Sequence, residues 1–206
     1  MKALTQPKTT SIKLDLESSL ELIPVPESSR SKSGRKSRNK GSSYERRLCK
    51  AFSEFWGSKF FRTPMSGGSR LRYDYNLAGD ISTPAEDFPY HCEAKNQEAF
   101  KGFHTLFTSN KCPVWKWWDQ STDECPEDKI PLVIFTKNYM PSFVMMPLQL
   151  GSFLEESVNR AFGSSDEFDE FLRVKTCCVM TLDRFIGFGK SSHAYASNKY
   201  FTAEKS

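Results

Sequence analysis

The sequence predicts an α/β sandwich, in which helices pack on a central sheet. The first observation is a stripe of apolar side chains after residue 43, with the spacing of a helix that has one buried face. The second is the run Ile130–Thr136, whose β-branched apolar residues are typical of a strand covered on both faces. The third is the alternation of helix-like and strand-like segments along the chain, which favours an α/β protein.

The chain begins with a basic segment that we expect to be disordered over residues 1–40. This segment is rich in Ser, Pro, Thr, Lys and Arg and shows no sustained periodicity. Residues 1–42 hold nine Lys or Arg and four Asp or Glu, whereas the rest of the chain carries a net charge of −1. The end of this arm, Arg30–Lys40, is either a contact for DNA phosphates or a solvated tail or localisation signal.

The first ordered element is predicted to be a helix from Tyr44 to Trp56. Ser42 or Ser43 can cap its start, and Glu45 completes a capping box. Gly57 is expected to end it. The predicted buried stripe consists of Leu48, Ala51, Phe52, Phe55 and Trp56.

The later elements follow from alternation, apolar runs and turn-forming residues. Strands are predicted at 59–62, 71–80, 89–95, 130–136, 142–146 and 177–182, and helices within 98–107, 114–121, 153–162 and 166–174. The strand at 142–146 is expected to lie at an edge of the sheet. We expect Trp115, Trp117 and Trp118 to be mainly core residues, although stacking on bases or a dimer contact would also suit them.

Composition narrows the class of protein. Hydrophobic residues make up 38% of the chain and charged residues 26%, with a net charge of +4. No apolar run is long enough to span a bilayer and no secretory h-region is present, so we expect an intracellular, cytoplasmic protein without membrane association. A nuclear or phage-encoded protein fits the same observations. The six cysteines form no CxxC pair, which favours reduced, partly buried thiols over a zinc site or disulfides.

The segment with the clearest chemistry contains Gly79-Asp80-Ile81 and Glu93-Ala94-Lys95. Twelve residues separate Asp80 from Glu93. Alternate residues of a strand share a face, so Glu93 and Lys95 should project together, with His91 on the same side. If a loop at 82–88 joins two antiparallel strands, Asp80 lies beside Glu93. Two carboxylates and a lysine then meet at one point on the sheet.

Such a group suits hydrolysis of a phosphodiester. Two carboxylates can hold a hard divalent cation, and a neighbouring lysine can orient or deprotonate the attacking water. The alternative is an exposed strand face with an ordinary Glu93–Lys95 pair. Asp74 is a rival for the metal position of Asp80, and His91 is a possible further participant.

Four segments in order carry a family resemblance: Lys40-Gly-Ser-Ser-Tyr-Glu-Arg-Arg-Leu48, the loop Thr63-Pro-Met-Ser-Gly-Gly68, Gly79-Asp80-Ile81 and Glu93-Ala94-Lys95. Together they resemble the PD-(D/E)xK nuclease superfamily and are most similar to the archaeal-type Holliday-junction resolvases. The resemblance spans Lys40–Met146. It implies a restriction-endonuclease-like α/β fold, in which a mixed central sheet is flanked by helices. Two departures concern the substrate: no Pro precedes Asp80, and the segment 69–77 is longer than in a minimal resolvase.

The resemblance implies roles for individual residues. Asp80 and Glu93, with the backbone carbonyl of Ala94, would bind Mg²⁺, for which Mn²⁺ is expected to substitute. Lys95 would be the catalytic lysine, and Glu45 would reach the metal directly or through water. Two further groups complete the implied site: Ser66 near the scissile phosphate, and DNA contacts by Arg35, Lys36, Arg38, Lys40, Arg46, Arg47, Arg62, Gly67, Gly68, Arg70, Arg72 and Gln97.

The expected protein is therefore a Mg²⁺-dependent endonuclease selective for branched DNA, acting in recombination or repair as a homodimer. Its nuclease domain would span residues 41–206, with a catalytic core at about 41–146 and an extension at 147–206. The extension would complete the core, form a dimer contact or recruit a partner. The alternatives are a restriction, repair or end-processing nuclease of the same superfamily, or a non-catalytic DNA-binding module.

Overall fold

A computed structural model of the chain describes residues 32–63, 79–162 and 171–205, without the side chains of residues 32–38 and 162. The helices are α1 Lys32–Trp56, α2 His104–Thr108, α3 Pro113–Asp123, α4 Leu148–Phe162, α5 Leu182–Gly187 and α6 Gly189–Ala203. The strands are β1 Phe61–Arg62, β2 Ile81–Ser82, β3 Tyr90–Asn96, β4 Ile130–Thr136, β5 Phe143–Pro147, β6 Leu172–Val174 and β7 Cys177–Thr181. Within the described ranges, none of the helices has the length and apolar character needed to cross a membrane.

The described strands form one mixed sheet in the order β1-β2-β3-β4-β5-β7-β6. The central pair, β3 and β4, is parallel from Tyr90↔Ile130 to Asn96↔Thr136. Every other described pair is antiparallel. The predicted α/β fold, a mixed sheet flanked by helices as in restriction endonucleases, is confirmed.

Both faces of the sheet are covered by apolar side chains. On β4, Leu132 and Ile134 belong to a core with α1, α4 and α6, whereas Val133 and Phe135 belong to a second core with α2 and α3. This arrangement explains the continuous apolar run of β4, because alternate side chains point to opposite faces and both faces are buried. The strand predicted from that run is confirmed at both ends.

Helix α1 is longer at its start than the sequence predicted. It begins at Lys32, so residues 32–40, which we assigned to the disordered arm, are helical. The buried residues Tyr44, Leu48, Phe52 and Trp56 recur every four positions and hold the second half of the helix against the core. Once that half is formed, each added turn avoids the cost of nucleation, and Lys and Arg are good helix formers. The capping signal of the two serines is therefore overridden.

Strand β5 is not at an edge, contrary to expectation. It lies between β4 and β7, and its pairing with β7 runs from Phe143↔Thr181 to Pro147↔Cys177. The predicted helix at 166–174 is also wrong over its described end, because Leu172–Val174 is strand β6. Lys175, with a φ of 55°, lies in the turn that reverses the chain into β7. The edge position is taken by β6, a pairing that local periodicity does not reveal.

Residues 147–205 complete the same core as the preceding residues, within the described ranges. Leu154 of α4, Phe185 of α5 and Tyr200 of α6 all pack in the core that contains Cys92 of β3. A hydrogen bond of 2.6 Å joins the Nδ1 atom of His193 in α6 to the hydroxyl of Tyr90 in β3. Of the three roles considered for this segment, completing the core is therefore the one seen in the structure.

The expected state of the cysteines and tryptophans is confirmed. All six cysteines are free thiols, and five of them are buried. Three of those five lie in strands: Cys92, Cys177 and Cys178. Trp115 and Trp117 are buried in the core beside α3, and Trp118 packs against it.

Candidate active site

A pair of short strands brings Asp80 beside the strand that carries Glu93 and Lys95. Strands β2 and β3 are antiparallel with Ile81 opposite Cys92, as the loop between them predicted. The backbone N–H of Asp80 donates to the carbonyl of Cys92 at 2.8 Å. In return, the backbone N–H of Ala94 donates to the Asp80 carboxylate, also at 2.8 Å. The Asp80 carboxylate is therefore held beside Ala94, the residue between Glu93 and Lys95 on β3.

Gly79 makes this close approach possible. Its φ is 78°, in the left-handed region that favours glycine. A Cβ atom at this position would lie 2.5 Å from the carbonyl oxygen of Cys92. The Gly-Asp sequence is thus explained by geometry, since a side chain at 79 would push the following carboxylate away from β3.

Glu93 and Lys95 share one face of β3 and form a close ion pair, as the alternation of the strand predicted. The side chain of Glu93 is 6% exposed and that of Lys95 is 17% exposed. The ammonium group of Lys95 also lies 3.4 Å from the amide oxygen of Gln120 on α3. The ammonium group of Lys95 therefore points toward the Glu93 carboxylate, and its side chain is mostly buried.

The electrostatics of the group favour cation binding. Burial, together with the negative charges of Glu93 and Glu45, raises the pKa of Asp80 to about 6. The Ala94 N–H and the Lys95 ammonium act in the opposite direction but do not cancel these effects. Ionised carboxylates held close together need a positive charge beside them. Their oxygen atoms are the donors that Mg²⁺ prefers, so the residues present fit that cation.

Glu45 is close enough to Asp80 for its charge to raise the pKa of that carboxyl. It lies on α1, is partly buried, and forms a close ion pair with Arg62 of β1. Arg62 was expected to contact DNA, and the structure shows its guanidinium engaged by this carboxylate. In this arrangement Arg62 positions Glu45 next to the strand pair that carries Asp80.

A different trio of possible ligands lies closer together. Among the described residues, the ligand atoms of His91, Glu93 and Glu124 are all within 4.8 Å of one another, whereas Asp80, Glu93 and Glu45 do not form such a group. Glu124 follows α3 and was not anticipated, because nothing in its sequence spacing indicates that this helix end lies over β3. Burial lowers the pKa of His91, so its ring is neutral at neutral pH.

The other predicted contacts are distributed around this site. Arg46, Arg47 and Gln97 are exposed, and Lys40 forms an ion pair with Glu98 at 2.7 Å. Arg35, Lys36 and Arg38 lie in α1, but the structure does not describe their side chains. Outside the described residues lie Ser66, Gly67, Gly68, Arg70, Arg72 and the rival Asp74.

The chain matches one protein-family model, described as "Phage putative PDDEXK endonuclease", over residues 36–193. Searches of curated proteins and of solved structures find no match. The matched segment contains more than half of the 206 residues, including Asp80, Glu93 and Lys95. The chain therefore belongs to this phage PD-(D/E)xK endonuclease family.

Proposed function

We propose that the protein is a Mg²⁺-dependent endonuclease that hydrolyses DNA phosphodiester bonds, with selectivity for branched DNA such as a Holliday junction. The observation that carries the proposal is the 2.8 Å hydrogen bond from Ala94 to the Asp80 carboxylate. It holds one acid directly beside the Glu93–Lys95 pair. Burial and the neighbouring carboxylates disfavour the ionised form of Asp80, and acids perturbed in this way are concentrated at functional sites.

The proposed division of roles follows from the chemistry of the side chains. Asp80, Glu93 and the Ala94 carbonyl would bind Mg²⁺, which neutralises charge on the phosphate and acidifies bound water. Glu45 would add a further carboxylate, directly or through water. Lys95 would orient the attacking water through its ammonium group, which lies against Glu93. In its neutral amine form, it would instead accept the proton of that water. Ser66 would approach the scissile phosphate.

The DNA would be held by positive charge around the acids. We assign phosphate contacts to the exposed Arg46 and Arg47 of α1, and a contact beyond the end of β3 to Gln97. The remaining proposed contacts are Arg35, Lys36, Arg38, Lys40, Arg62, Gly67, Gly68, Arg70 and Arg72. Two cuts in a symmetric junction would require two sites, which supports a homodimer with twofold symmetry.

A second candidate is a nuclease of the same superfamily that acts on other DNA, in restriction, repair or end processing. The resemblance to resolvases inferred from the sequence covers only Lys40–Met146, whereas the family match continues to residue 193. The core also depends on the later elements, including β7 and α6. Residues beyond the resolvase-like part leave room for a substrate that is different from a four-way junction.

One cleavage assay distinguishes these functions. The full chain is incubated with four-way junction, flap, duplex and single-stranded DNA, with Mg²⁺, with Mn²⁺ or with EDTA. We expect metal-dependent cutting of the junction, and no cutting by Asp80→Ala or Glu93→Ala, both of which should still bind DNA. Glu86→Gln, an exposed glutamate in the loop between β2 and β3, is the matched control and should retain activity.

The other outcomes have definite meanings. Cutting that ignores junction structure supports the second candidate, and binding without cutting by the wild-type chain refutes a nuclease. Sedimentation equilibrium of the same samples tests the dimer. If Arg35, Lys36 and Arg38 each contact a phosphate, replacing all three with Gln should reduce the slope of log K against log salt by roughly 3. An unchanged slope would remove these residues from the DNA interface.

A further inference from the structure

The histidine beside the proposed catalytic acids has an unusual environment. His91 lies on β3 and is only 1% exposed. Both of its ring nitrogens are buried, and neither has a hydrogen-bond partner among the described residues. Burying a polar group without a partner is unfavourable by about 1–3 kcal/mol, so such a group calls for an explanation. A ligand that binds the ring is one explanation.

Two carboxylates face this ring. Glu93 is two residues further along the same face of β3, and Glu124 follows the last turn of α3, which packs on β3. Gln120 contacts both the strand and Glu124, because its amide oxygen is 3.4 Å from the ammonium of Lys95 and its amide nitrogen donates to Glu124 at 3.3 Å. Glu124 is therefore placed over His91 and Glu93 by packing of the helix on the sheet.

We propose that His91, Glu93 and Glu124 form a second cation site, for a transition metal such as Zn²⁺, next to the proposed Mg²⁺ site. Their possible ligand atoms all lie within 4.8 Å of one another. One imidazole nitrogen and two carboxylate oxygens make a three-ligand set with an open position, as zinc accepts. Glu124 is exposed and can move the short distance needed to close the set.

The kinds of ligand atom distinguish this site from the one at Asp80. A nitrogen ligand favours zinc and other later transition metals, whereas Mg²⁺ prefers oxygen donors alone. The unpartnered nitrogens of His91 also argue against a simple histidine–glutamate hydrogen bond, since neither carboxylate satisfies them. Glu93 is the one residue that the two sites share.

Sharing Glu93 has a functional consequence that rests on the proposed nuclease activity. Zinc bound by His91 and Glu124 would draw Glu93 away from Lys95, with which it forms its ion pair. The same carboxylate would then be less available to Mg²⁺. Zn²⁺ should therefore inhibit Mg²⁺-dependent cleavage, and Glu124→Gln should relieve the inhibition.

The site is tested by direct binding. Zn²⁺ is titrated calorimetrically into the full chain in excess Mg²⁺. We expect one bound Zn²⁺ in the wild-type protein and an affinity weaker by about tenfold or more in Glu124→Gln and in His91→Gln. Glu127→Gln is the matched control, because Glu127 is an exposed glutamate three residues away that is outside the trio. It should bind Zn²⁺ like the wild type.

Two results would overturn the proposal. The first is unchanged zinc affinity in Glu124→Gln. Because Glu124 is exposed, we expect this variant to fold, and circular dichroism checks that it does. The second is loss of zinc binding in Asp80→Asn together with its retention in Glu124→Gln, which would place the ion at the other site. Zinc binding that depends on Glu124 in a protein without nuclease activity would refute the proposed function and support the zinc site.

Discussion

Replacing Asp80 with Asn should abolish cleavage and at the same time stabilise the metal-free protein. The carboxylate is largely buried beside Glu93, and this environment raises its pKa from 3.8 to about 6. Above pH 6 the folded protein therefore carries a charge that its surroundings disfavour. Asn removes that charge and keeps an oxygen that can accept the hydrogen bond from Ala94.

The expected gain in the free energy of unfolding follows from the linkage between folding and the protonation of Asp80. A shift from 3.8 to about 6, at 1.36 kcal/mol per pH unit, corresponds to at most about 3 kcal/mol. Because the folded-state pKa is raised, the wild-type protein binds more protons when folded, and its stability falls as the pH rises from about 4 to 6. The gain from Asp80→Asn should thus be about 3 kcal/mol at pH 8 and roughly half of that at pH 5.

Urea denaturation in EDTA at pH 5 and pH 8 measures both values. Asp123→Asn, an exposed aspartate at the end of α3, serves as the control and should change little at either pH. In saturating Mg²⁺ the order should reverse, because the ion stabilises only the protein that binds it. A variant no more stable than the wild type at pH 8, or a gain equal at both pH values, would refute the electrostatic reasoning.

Three further outcomes are expected. Gly79→Ala should be destabilised by at least about 1 kcal/mol and lose cleavage, because its φ of 78° and the 2.5 Å approach to the Cys92 carbonyl exclude a Cβ; thermal melting and cleavage rates check this. Lys95→Ala should slow cleavage by about 100-fold or more while DNA affinity, measured by fluorescence anisotropy in Ca²⁺, stays the same. Burial lowers the pKa of His193 from 6.5 to about 4, so this group makes the wild type less stable as the pH falls from 6.5 toward 4. Relative to His193→Gln, the wild type should lose about 2 kcal/mol between pH 7.5 and pH 5 in urea denaturation, and an identical pH dependence of the two proteins would contradict the assignment.

The part of the site that could be predicted is the part encoded by local rules. Strand alternation places Glu93 and Lys95 on one face, and the spacing of one short loop places Asp80 opposite them. The same rules locate β4 from its apolar run. These predictions succeed because each depends on neighbours in the sequence.

The predictions that failed depend on contacts between distant residues. The start of α1 is set by packing of its second half, which overrides the capping serines. The interior position of β5 depends on β7, more than thirty residues later along the chain. Glu124 lies near His91 and Glu93 because α3 packs on β3. The spacing of residues in the sequence does not indicate this packing.

The hydrogen bond between Tyr90 and His193 joins residues 103 positions apart. Tyr90 begins the strand that presents Glu93 and Lys95, so that strand reaches its final support only after helix α6 has been synthesised and has docked. A chain still attached to the ribosome with α6 inside the exit tunnel would lack this support. Docking of α6 must therefore come before the strand with the proposed catalytic residues is fully supported.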